Sequence, residues 1–501
     1  MTFDLARDKE GHLEVHVVRG QEPMHAYGRD DSSKVRAEAA TVLRSKGFEV
    51  DDRTLLVFEV LLEWKDGRAV EVGPYVGGGD HLAGTAWLYD DALLDPRQLA
   101  SKAPGGYYGS PCSIGAFNSH YIGGVAHELG HAFGLPHVAG PASNPKHSLM
   151  GDGNHSYGEE LRGEGAGTYL HPASAMLLAK CRPFAGDIKE ARQPVACDIK
   201  ELEASFSENH LILVGQVEAL PPAFGLVAYN DSSNIPGDYD ATGWISNVDS
   251  AGRFRLSVGE LQPGPYELRL QVCHLNGAAS RFSFQYTANS LGVPDLKPFA
   301  PSVFLLQRAV RAYAQGDSKQ VEALTAKLEK ESSEDLARQA RHLRALLQPR
   351  APQALAAVPA DQKQVSVSGL QFVEESVGWG RPLRDQVLVE DAPSCFLQVD
   401  GQYYDRGLFA HAASKYGLDV QGQWKWYTSS YGLQDGHPGS VVFVVRGDGR
   451  KLFRSERITD HRLRSMDLDI TGVKRLELVV EDAGDGASFD WGVWVSPTLR
   501  R

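Results

Sequence analysis

The spacing of apolar and polar residues predicts an α+β domain at the start of the chain. Residues 11–19 alternate between apolar and polar side chains, a pattern typical of a strand. Apolar residues recur at helical spacing over 31–46, and short apolar runs at 55–58 and 85–89 predict buried strands. A second helical stripe then leads into a histidine-rich segment. We assign these elements to one domain over 1–190.

The pattern of apolar and polar residues changes near residue 193. Short apolar runs are separated at close intervals by Gly, Pro, Asn and Asp, which predicts a small antiparallel β-sandwich, immunoglobulin-like in outline, over 193–297. Cys197 and Cys273 are positioned to join its strands. The five cysteines permit two disulfides with one residue left over, and isolated buried thiols are an equally good interpretation.

Helical periodicity returns over 301–348, where breaks at Gly316 and at Ser332 and Ser333 predict three short helices that form a spacer. The stretch 349–364 is rich in Ala, Pro and Gln and has no apolar period, so we interpret it as a linker.

Length and charge exclude several functional classes. A chain of 501 residues is too long for one core, so several domains are expected. The net charge of −13 and the lack of a long Lys/Arg block argue against a nucleic-acid partner. No apolar stretch is long enough for a membrane span, and the first residues lack the apolar core of a signal peptide.

Residues 127–137, HELGHAFGLPH, hold the clearest chemistry. On a helix, His127 and His131 lie one turn apart on one face, so their ring nitrogens can converge on one cation. Gly134 permits a sharp turn that brings His137 back as a third ligand. Three histidines leave a fourth position open, which is typical of a catalytic zinc site. The sequence therefore predicts one Zn²⁺, and Glu128 is the expected general base for water.

The segment is the HExxHxxGxxH pattern of the metzincins, and Ser148–Gly151 lies where their methionine turn belongs. The N-terminal domain therefore resembles a metzincin zinc peptidase. Residues 123–126 and 148–151 also resemble one little-characterised zinc-peptidase family within that group. The resemblance implies a metallo-endopeptidase with Met150 in the methionine turn, and an ordinary core residue is the alternative role for Met150.

The same resemblance implies two further parts of the site. A tyrosine after the methionine turn would help to stabilise the oxyanion, and Tyr157 and Tyr169 are the candidates, with ordinary packing as the alternative. An edge strand would pair with the extended substrate. By position that strand is the segment containing Gly84, Thr85, Ala86 and Trp87, unless it is an ordinary sheet strand. We expect His120 and His147 to be solvent-exposed or to support the ligands.

The aromatic-rich stretch 365–499 resembles the NPCBM carbohydrate-binding modules, which are galactose-binding-like β-sandwiches. The resemblance rests on residues 404–412, 439–443 and 447–452 and on Asp490-Trp491. It implies a glycan ligand, for which the candidate contacts are Asp405, Arg406, His411, Asp490 and Trp491. Packing of the sandwich interior is the alternative role for the aromatic residues. Asp448 and Asp485 lie in Gly-Asp-Gly turns, where turn formation suffices and Ca²⁺ binding has no further support.

Together these features predict a multidomain protein with an α+β metzincin-like catalytic domain, an immunoglobulin-like β-sandwich, a helical spacer and a C-terminal galactose-binding-like sandwich. The expected function is zinc-dependent hydrolysis of peptide bonds in glycosylated, mucin-like proteins by a metal-activated water. Such a substrate favours a secreted or cell-surface enzyme even though no signal peptide is present. The alternatives are a glycan-binding adhesin with an inactive peptidase domain, and a metal-dependent amidase or deacetylase acting on sugars.

Overall fold

The chain folds into two compact units, Met1–Pro301 and Ser302–Arg501. The structure is a computed structural model. It describes residues 5, 7–186, 188, 190–232, 238–349, 351–387, 394–436 and 439–501. None of the helices in these ranges combines the length and apolar character needed to cross a bilayer. The finer domain boundaries stay predictions.

The first part of the N-terminal unit combines five helices with short strands. The helices are α1 (Ser32–Ser45), α2 (Ile114–Ala132), α3 (Glu159–Arg162), α4 (Pro172–Leu178) and α5 (Arg182–Ala185). The strands are β1 (Thr54–Glu59), β2 (Leu62–Lys65), β3 (Arg68–Glu71), β4 (Val76–Gly79), β5 (Gly84–Tyr89), β6 (Pro104–Tyr108), β7 (Ser110–Ser113), β8 (His147–Ser148) and β9 (Thr168–Tyr169). The predicted helix over 31–46 and the strands at 55–58 and 85–89 are confirmed as α1, β1 and β5.

The prediction of a strand over 11–19 is wrong. Leu13 forms only an isolated bridge with Arg7. Val15 and Val17 are 72% and 90% exposed. An alternating pattern becomes a strand when a neighbouring strand accepts its hydrogen bonds and a core covers one face. Among the described residues, this segment has no such ladder.

The second part of the N-terminal unit is a seven-stranded antiparallel assembly. Its strands are β10 (Ala196–Ser207), β11 (His210–Leu220), β12 (Ala223–Asp231), β13 (Thr242–Asn247), β14 (Arg253–Val258), β15 (Gly264–His274) and β16 (Ala279–Ala288). They form one sheet in the order β10-β11-β14 and a second in the order β13-β12-β15-β16. Both β12 and β13 contact β14 of the other sheet, which agrees with the predicted sandwich.

This sandwich shares a hydrophobic core with the segment that follows α2. Leu135, Val138 and Met150 pack in one cluster with Val227 and Tyr229 of β12. Burial of a common apolar surface couples the two regions more strongly than a linker would.

Disulfides do not hold the sandwich together. Cys273 is a free thiol, so the Cys197–Cys273 pairing that the sequence left open is not formed. Burial raises the pKa of Cys273 to about 12. The shared apolar core therefore stabilises this region without that crosslink.

The C-terminal unit begins with the three predicted helices, which are confirmed as α6 (Pro301–Ala314), α7 (Ser318–Glu331) and α8 (Glu334–Leu346). They share a core cluster with Phe396 and Tyr403, so they pack onto the sandwich that follows. The predicted linker over 349–364 also takes part, because Val358 is buried in the core of that sandwich. Residue 350 of this linker lies outside the described residues.

The remainder of the C-terminal unit is a two-sheet β-sandwich, as the sequence predicts. Its strands are β17 (Gln364–Ser366), β18 (Glu374–Ser376), β19 (Leu383–Arg384), β20 (Leu397–Val399), β21 (Gln402–Tyr404), β22 (Gly407–His411), β23 (Ser414–Asp419), β24 (Trp426–Leu433), β25 (Val442–Gly447), β26 (Arg450–Arg454), β27 (Arg464–Asp469), β28 (Arg475–Glu481) and β29 (Trp491–Arg500). The two sheets have the orders β19-β22-β29-β24-β27, with β17 added beside β29, and β18-β23-β28-β25-β26. Tyr427 and Trp494 of one sheet and Tyr416 and Phe443 of the other meet in its core.

Candidate active site

The helix α2 carries the first two histidines of the site. It begins after Ser113, whose hydroxyl accepts the N–H of Ala116 at 3.1 Å and so caps the first turn. His127 and His131 lie near its C-terminal end and point to the same side. The rings of all three predicted ligands meet: the Nε2 atom of His131 is 3.1 Å from that of His127 and 3.0 Å from that of His137.

The opposite ring atoms of two histidines fix which nitrogen faces the centre. The Nδ1 atom of His127 lies 2.7 Å from the carbonyl oxygen of Leu149, and that of His131 lies 2.8 Å from the carbonyl oxygen of Leu135. A carbonyl only accepts, so each Nδ1 carries the proton and each Nε2 presents a lone pair. Burial lowers the pKa of His127 to about 4 and also lowers that of His131, which keeps both rings neutral near pH 7.

This arrangement fits a metal ion and poorly fits a hydrogen-bonded cluster. Lone pairs on neighbouring Nε2 atoms repel one another unless a cation lies between them. Two nitrogens bound to one tetrahedral zinc would be roughly 3.3 Å apart, close to the separations found here. The three histidines also form a group whose ligand atoms all lie within 4.8 Å of one another. The residues therefore match the donor set expected for Zn²⁺.

The third histidine reaches the site by the predicted turn. Gly134 has a φ of +80°, a left-handed conformation that glycine adopts without strain. The chain then returns past the helix, and the N–H of Val138 donates to the carbonyl oxygen of Met150 at 2.9 Å. Met150 is fully buried beneath this segment. Its backbone supports the third ligand, and its side chain contributes to the core.

Glu128, the predicted general base, is held by the neighbouring strand. It follows the first ligand in the helix, and the backbone N–H of Gly77 in β4 donates a hydrogen bond to its carboxylate. Burial raises the pKa of Glu128 to about 7, and the Gly77 hydrogen bond opposes this shift by favouring the charged form.

The prediction that Gly84, Thr85, Ala86 and Trp87 form the substrate-binding edge strand is wrong. They lie in β5, which pairs with β1 in parallel and with β4 in antiparallel orientation. A strand with neighbours on both sides has no free hydrogen-bonding edge. The edge strands are β1 and β4, and β4 is the one that packs on α2: a methyl group on its Gly77 would lie 1.9 Å from the carbonyl oxygen of Glu128. Glycine there lets the edge approach α2 directly.

The role of Tyr157 and Tyr169 as oxyanion stabilisers stays a prediction. The Cβ atom of Tyr157 packs against Gly123. The ring of Tyr169 lies 5.9 Å from that of His171. Tyr239 does contact the centre, because its ring stacks on His137 with centroids 3.8 Å apart. It precedes β13 in the β10–β16 sandwich of the N-terminal unit, about a hundred residues further along the chain, and no sequence pattern marked it.

The two flanking histidines have different surroundings. His120 is buried, its Nδ1 lies 3.1 Å from that of His155, and the ring of Tyr108 stacks on it at 3.5 Å. Burial lowers the pKa of His120 to about 3. His147 is more exposed and contacts Asp152 at 2.9 Å. Neither is among the three histidines that converge.

The predicted glycan contacts divide into two groups. His411 and Trp491 are register partners on neighbouring strands, and Asp490 precedes Trp491. Trp379, which is 43% exposed, adds its ring at 5.6 Å from Trp491 and 5.9 Å from His411. We call His411, Asp490, Trp491 and Trp379 the aromatic cluster.

Asp405 and Arg406 do not belong to the aromatic cluster, because they precede β22 whereas His411 ends it. Arg406 instead forms an ion pair with Asp385 at 2.9 Å. The glycan-binding roles of Asp405 and Arg406 stay predictions. The spacing of five residues along one strand separates the two groups.

The Gly-Asp-Gly turns use their carboxylates within the protein. Asp448 accepts the backbone N–H of Arg475 at 2.8 Å. Asp485 accepts the hydroxyl of Ser440 at 2.6 Å. Both contacts support the turn-forming role.

Comparison with known proteins identifies the C-terminal segment. Residues 363–500 match the family model of the NPCBM/NEW2 domain. The resemblance seen in the sequence is thereby confirmed. A protein of Renibacterium salmoninarum, provisionally named an endo-α-N-acetylgalactosaminidase, is 30% identical over 142 residues. That alignment spans 27% of this chain and only 9% of the relative's length.

Two solved structures are also similar in part. OgpA from Akkermansia muciniphila is 20% identical with a TM-score of 0.48, and the match covers 57% of this chain and 80% of OgpA. OgpA has also been solved in a catalytically inactive form with an O-glycopeptide substrate. A CBM51 module from Clostridium perfringens, solved with methyl-galactose, is 26% identical with a TM-score of 0.24. That match covers 27% of this chain and 99% of the module.

Proposed function

We propose that this protein is a metzincin-like, zinc-dependent endopeptidase that cleaves glycosylated, mucin-like proteins. The observation that carries the proposal is the convergence of three imidazole Nε2 atoms, two of which must present lone pairs because their Nδ1 atoms face carbonyl oxygens. Zn²⁺ held by His127, His131 and His137 would act as a Lewis acid that acidifies water and polarises a scissile carbonyl.

Residues around this centre carry out the proton transfers of peptide hydrolysis. Glu128 accepts a proton from the attacking water and returns it to the nitrogen of the departing amine, so its own charge is restored after each turnover. The N–H of Gly77 holds the Glu128 carboxylate during this exchange. A general base of this kind contributes roughly 10²- to 10⁴-fold to the rate.

Strand β4 supports binding of an extended peptide. It lies at the edge of its sheet, it packs on α2 through Gly77, and Val76, Gly78 and Gly79 are exposed. Backbone groups at a free edge can pair with a peptide in β conformation, largely independently of side-chain sequence. A substrate aligned in this way would pass over Glu128.

The C-terminal unit supports the proposal that the substrate bears glycans. Its NPCBM/NEW2 match, and a relative whose name refers to N-acetylgalactosamine, both point to a sugar ligand. Trp379 presents an exposed aromatic face, on which a pyranose ring can stack, beside His411 and Asp490. A tethered glycan-binding module raises the local concentration of a sugar-decorated substrate. Because such substrates lie outside the cell, we place the enzyme there or on the cell surface.

The proposal is tested with a mucin-type glycoprotein incubated with wild-type protein and with Glu128→Gln, each with and without a chelator. We expect cleavage by the wild type only, loss of cleavage with the chelator, and at least roughly 10²-fold slower cleavage by Glu128→Gln. The zinc content of Glu128→Gln should equal that of the wild type. Glu59→Gln, which changes another buried carboxylate of the same unit, is the matched control and should retain activity.

Several outcomes would contradict the proposal. Cleavage that survives in Glu128→Gln or in chelator would exclude the mechanism. Release of acetate from the glycans without new peptide termini would favour the amidase or deacetylase. Glycan binding without any cleavage would favour the adhesin. An enzymatically deglycosylated sample of the same substrate shows whether the sugars matter.

A further inference from the structure

The three histidines are held in place by different parts of the N-terminal unit. His127 and His131 belong to α2, and their Nδ1 atoms face carbonyl oxygens of Leu149 and Leu135. These contacts all lie within residues 127–149. His137 has left the helix, so its position depends on what packs against the segment that carries it.

That segment is hydrogen-bonded on one side to the methionine turn and on the other to the β10–β16 sandwich of the N-terminal unit. On one side, the N–H of Val138 donates to the carbonyl oxygen of Met150 at 2.9 Å. On the other side, the N–H of Ala139 donates to the carbonyl oxygen of Ala241 at 2.7 Å. Ala139 and Thr242 form a parallel bridge at this point. The chain after the third ligand is therefore hydrogen-bonded to the start of β13.

Side-chain packing closes the same contact. Val138 is fully buried, and it shares a cluster with Tyr229 and Ala241 of the sandwich. Gly243 of β13 leaves no space: a methyl group there would lie 2.6 Å from Cγ2 of Val138 and 2.5 Å from Cε1 of His171. Even a small side chain at 243 would push the two regions apart.

Tyr239 adds the contact to the ligand itself. Its ring stacks on His137 with centroids 3.8 Å apart and an interplanar angle of 25°. Tyr239 is 44% exposed, so burial of its own side chain does not account for its position. A flat ring held against an imidazole limits rotation of that imidazole about its side-chain bonds.

We infer that the β10–β16 sandwich of the N-terminal unit is a working part of the metal centre, in which Tyr239 acts as a positioning residue that orients His137 toward the metal. This inference rests on the proposed zinc site and extends it, because it assigns part of the ligand support to a region over a hundred residues from the HExxH motif. Residues that orient metal ligands typically change metal affinity by 10- to 100-fold when they are replaced.

The test measures zinc affinity of the full-length protein by competition with a chromophoric chelator. We expect Tyr239→Ala to weaken zinc binding about tenfold or more. Tyr239→Phe keeps the ring and should stay within about twofold of the wild type. Ile245→Ala, at an equally exposed position within β13, is the matched control and should also stay near the wild type.

Melting temperatures separate ligand positioning from general damage to the fold. Metal-free Tyr239→Ala and Ile245→Ala should melt at the same temperature. Added zinc should raise the melting temperature of Tyr239→Ala less than that of Ile245→Ala, because zinc that binds more weakly stabilises the folded state less. Gly243→Ala should also weaken zinc binding.

The outcomes distinguish this inference from the proposed function. If the wild type binds no zinc, the proposed function fails. If the wild type binds zinc and Tyr239→Ala binds it equally well, only the role of Tyr239 fails. Equal losses in Tyr239→Phe and Tyr239→Ala would likewise overturn the stacking role.

Discussion

The histidine centre of the N-terminal unit and the aromatic cluster of the C-terminal unit differ in how completely their buried polar groups are hydrogen-bonded. Histidines are held alike in both: the Nδ1 atoms of His127 and His131 face backbone carbonyls, and that of His411 lies 2.7 Å from the carbonyl oxygen of Ala412. The cluster alone adds a buried oxygen without a partner among the described residues, Oδ2 of Asp490, beside the 43% exposed Trp379. The difference teaches that the proposed catalytic centre depends on fixed geometry, whereas the proposed binding surface keeps an unused contact for a ligand.

The largest effect is expected when one histidine of each site is replaced by alanine and the two variants are compared. His131→Ala removes a ligand and should eliminate tight zinc binding and slow peptide hydrolysis by roughly 10³-fold or more, since the Lewis acid contributes several kcal/mol. His411→Ala should leave zinc content and cleavage of an unglycosylated peptide unchanged and should weaken glycan binding. Metal analysis and peptide assays on both variants check this. Loss of zinc in His411→Ala would show that the two sites are not independent.

The next comparison uses one methionine from each unit. Met150 is fully buried below the centre, and Met466 lies in the core of the C-terminal sandwich. Replacement of either by Ala should lower the free energy of unfolding of its unit by about 2–5 kcal/mol. Only Met150→Ala should also weaken zinc binding, because residue 150 supports the segment of the third ligand. Denaturant titrations and zinc competition check both variants. If both variants weakened zinc binding equally, the role of residue 150 in supporting the third histidine would be refuted.

A third comparison contrasts two buried carboxylates. Both oxygens of Glu59 are buried without a hydrogen-bond partner in the described part of the chain, and burial raises its pKa from 4.5 to about 8. Burial also raises the pKa of Asp490, but its Oδ1 accepts the N–H of Ser440, which favours the charged form.

A raised carboxyl pKa means that the folded protein binds more protons than the unfolded chain. The stability that protonated Glu59 contributes is therefore complete below pH 4.5 and is lost as the pH rises toward about 8. Glu59→Gln should remove this loss and stabilise the protein at pH 8 by about 1–3 kcal/mol, with little effect at pH 4.5. Asp490→Asn should show a smaller gain. Unfolding at several pH values checks this, and a gain for Glu59→Gln that does not vary with pH would argue against burial as the cause.

The smallest expected effect concerns two exposed tryptophans of the C-terminal unit. Trp379→Ala should weaken glycan binding about tenfold, which corresponds to ~1.4 kcal/mol. Trp426, which is 39% exposed and lies near the Arg500 guanidinium, is the matched control. Calorimetry with galactose and N-acetylgalactosamine tests both variants. Equal losses in the two would place the ligand elsewhere on the sandwich.

Features that depend on near neighbours in the chain were predictable. The convergence of His127 and His131 follows from helical spacing, and that of His137 follows from a turn at Gly134. The three helices over 301–348 follow from their apolar period and breaks. In each case the interacting groups lie within about one or two helical turns.

Features that depend on distant pairing were not predictable. The strand expected at 11–19 has an alternating sequence but no ladder partner among the described residues. β5 was mistaken for the edge because its neighbour β4, with the sequence VGGG, has little apolar signal. A strand pattern records which side chains face a core and not which strand pairs on each side.

The sequence by itself determined the chemistry: three imidazoles at helical and turn spacing, a carboxylate beside the first, and a C-terminal segment of the NPCBM/NEW2 type. Only the tertiary structure decided that β4 is the edge strand packed on α2, that Trp379 joins His411, and that Tyr239 lies on His137. The physical reason is the separation of the interacting residues along the chain. Backbone geometry sets the positions of residues a few steps apart, whereas contacts across a hundred residues form only when a shared hydrophobic core brings the segments together.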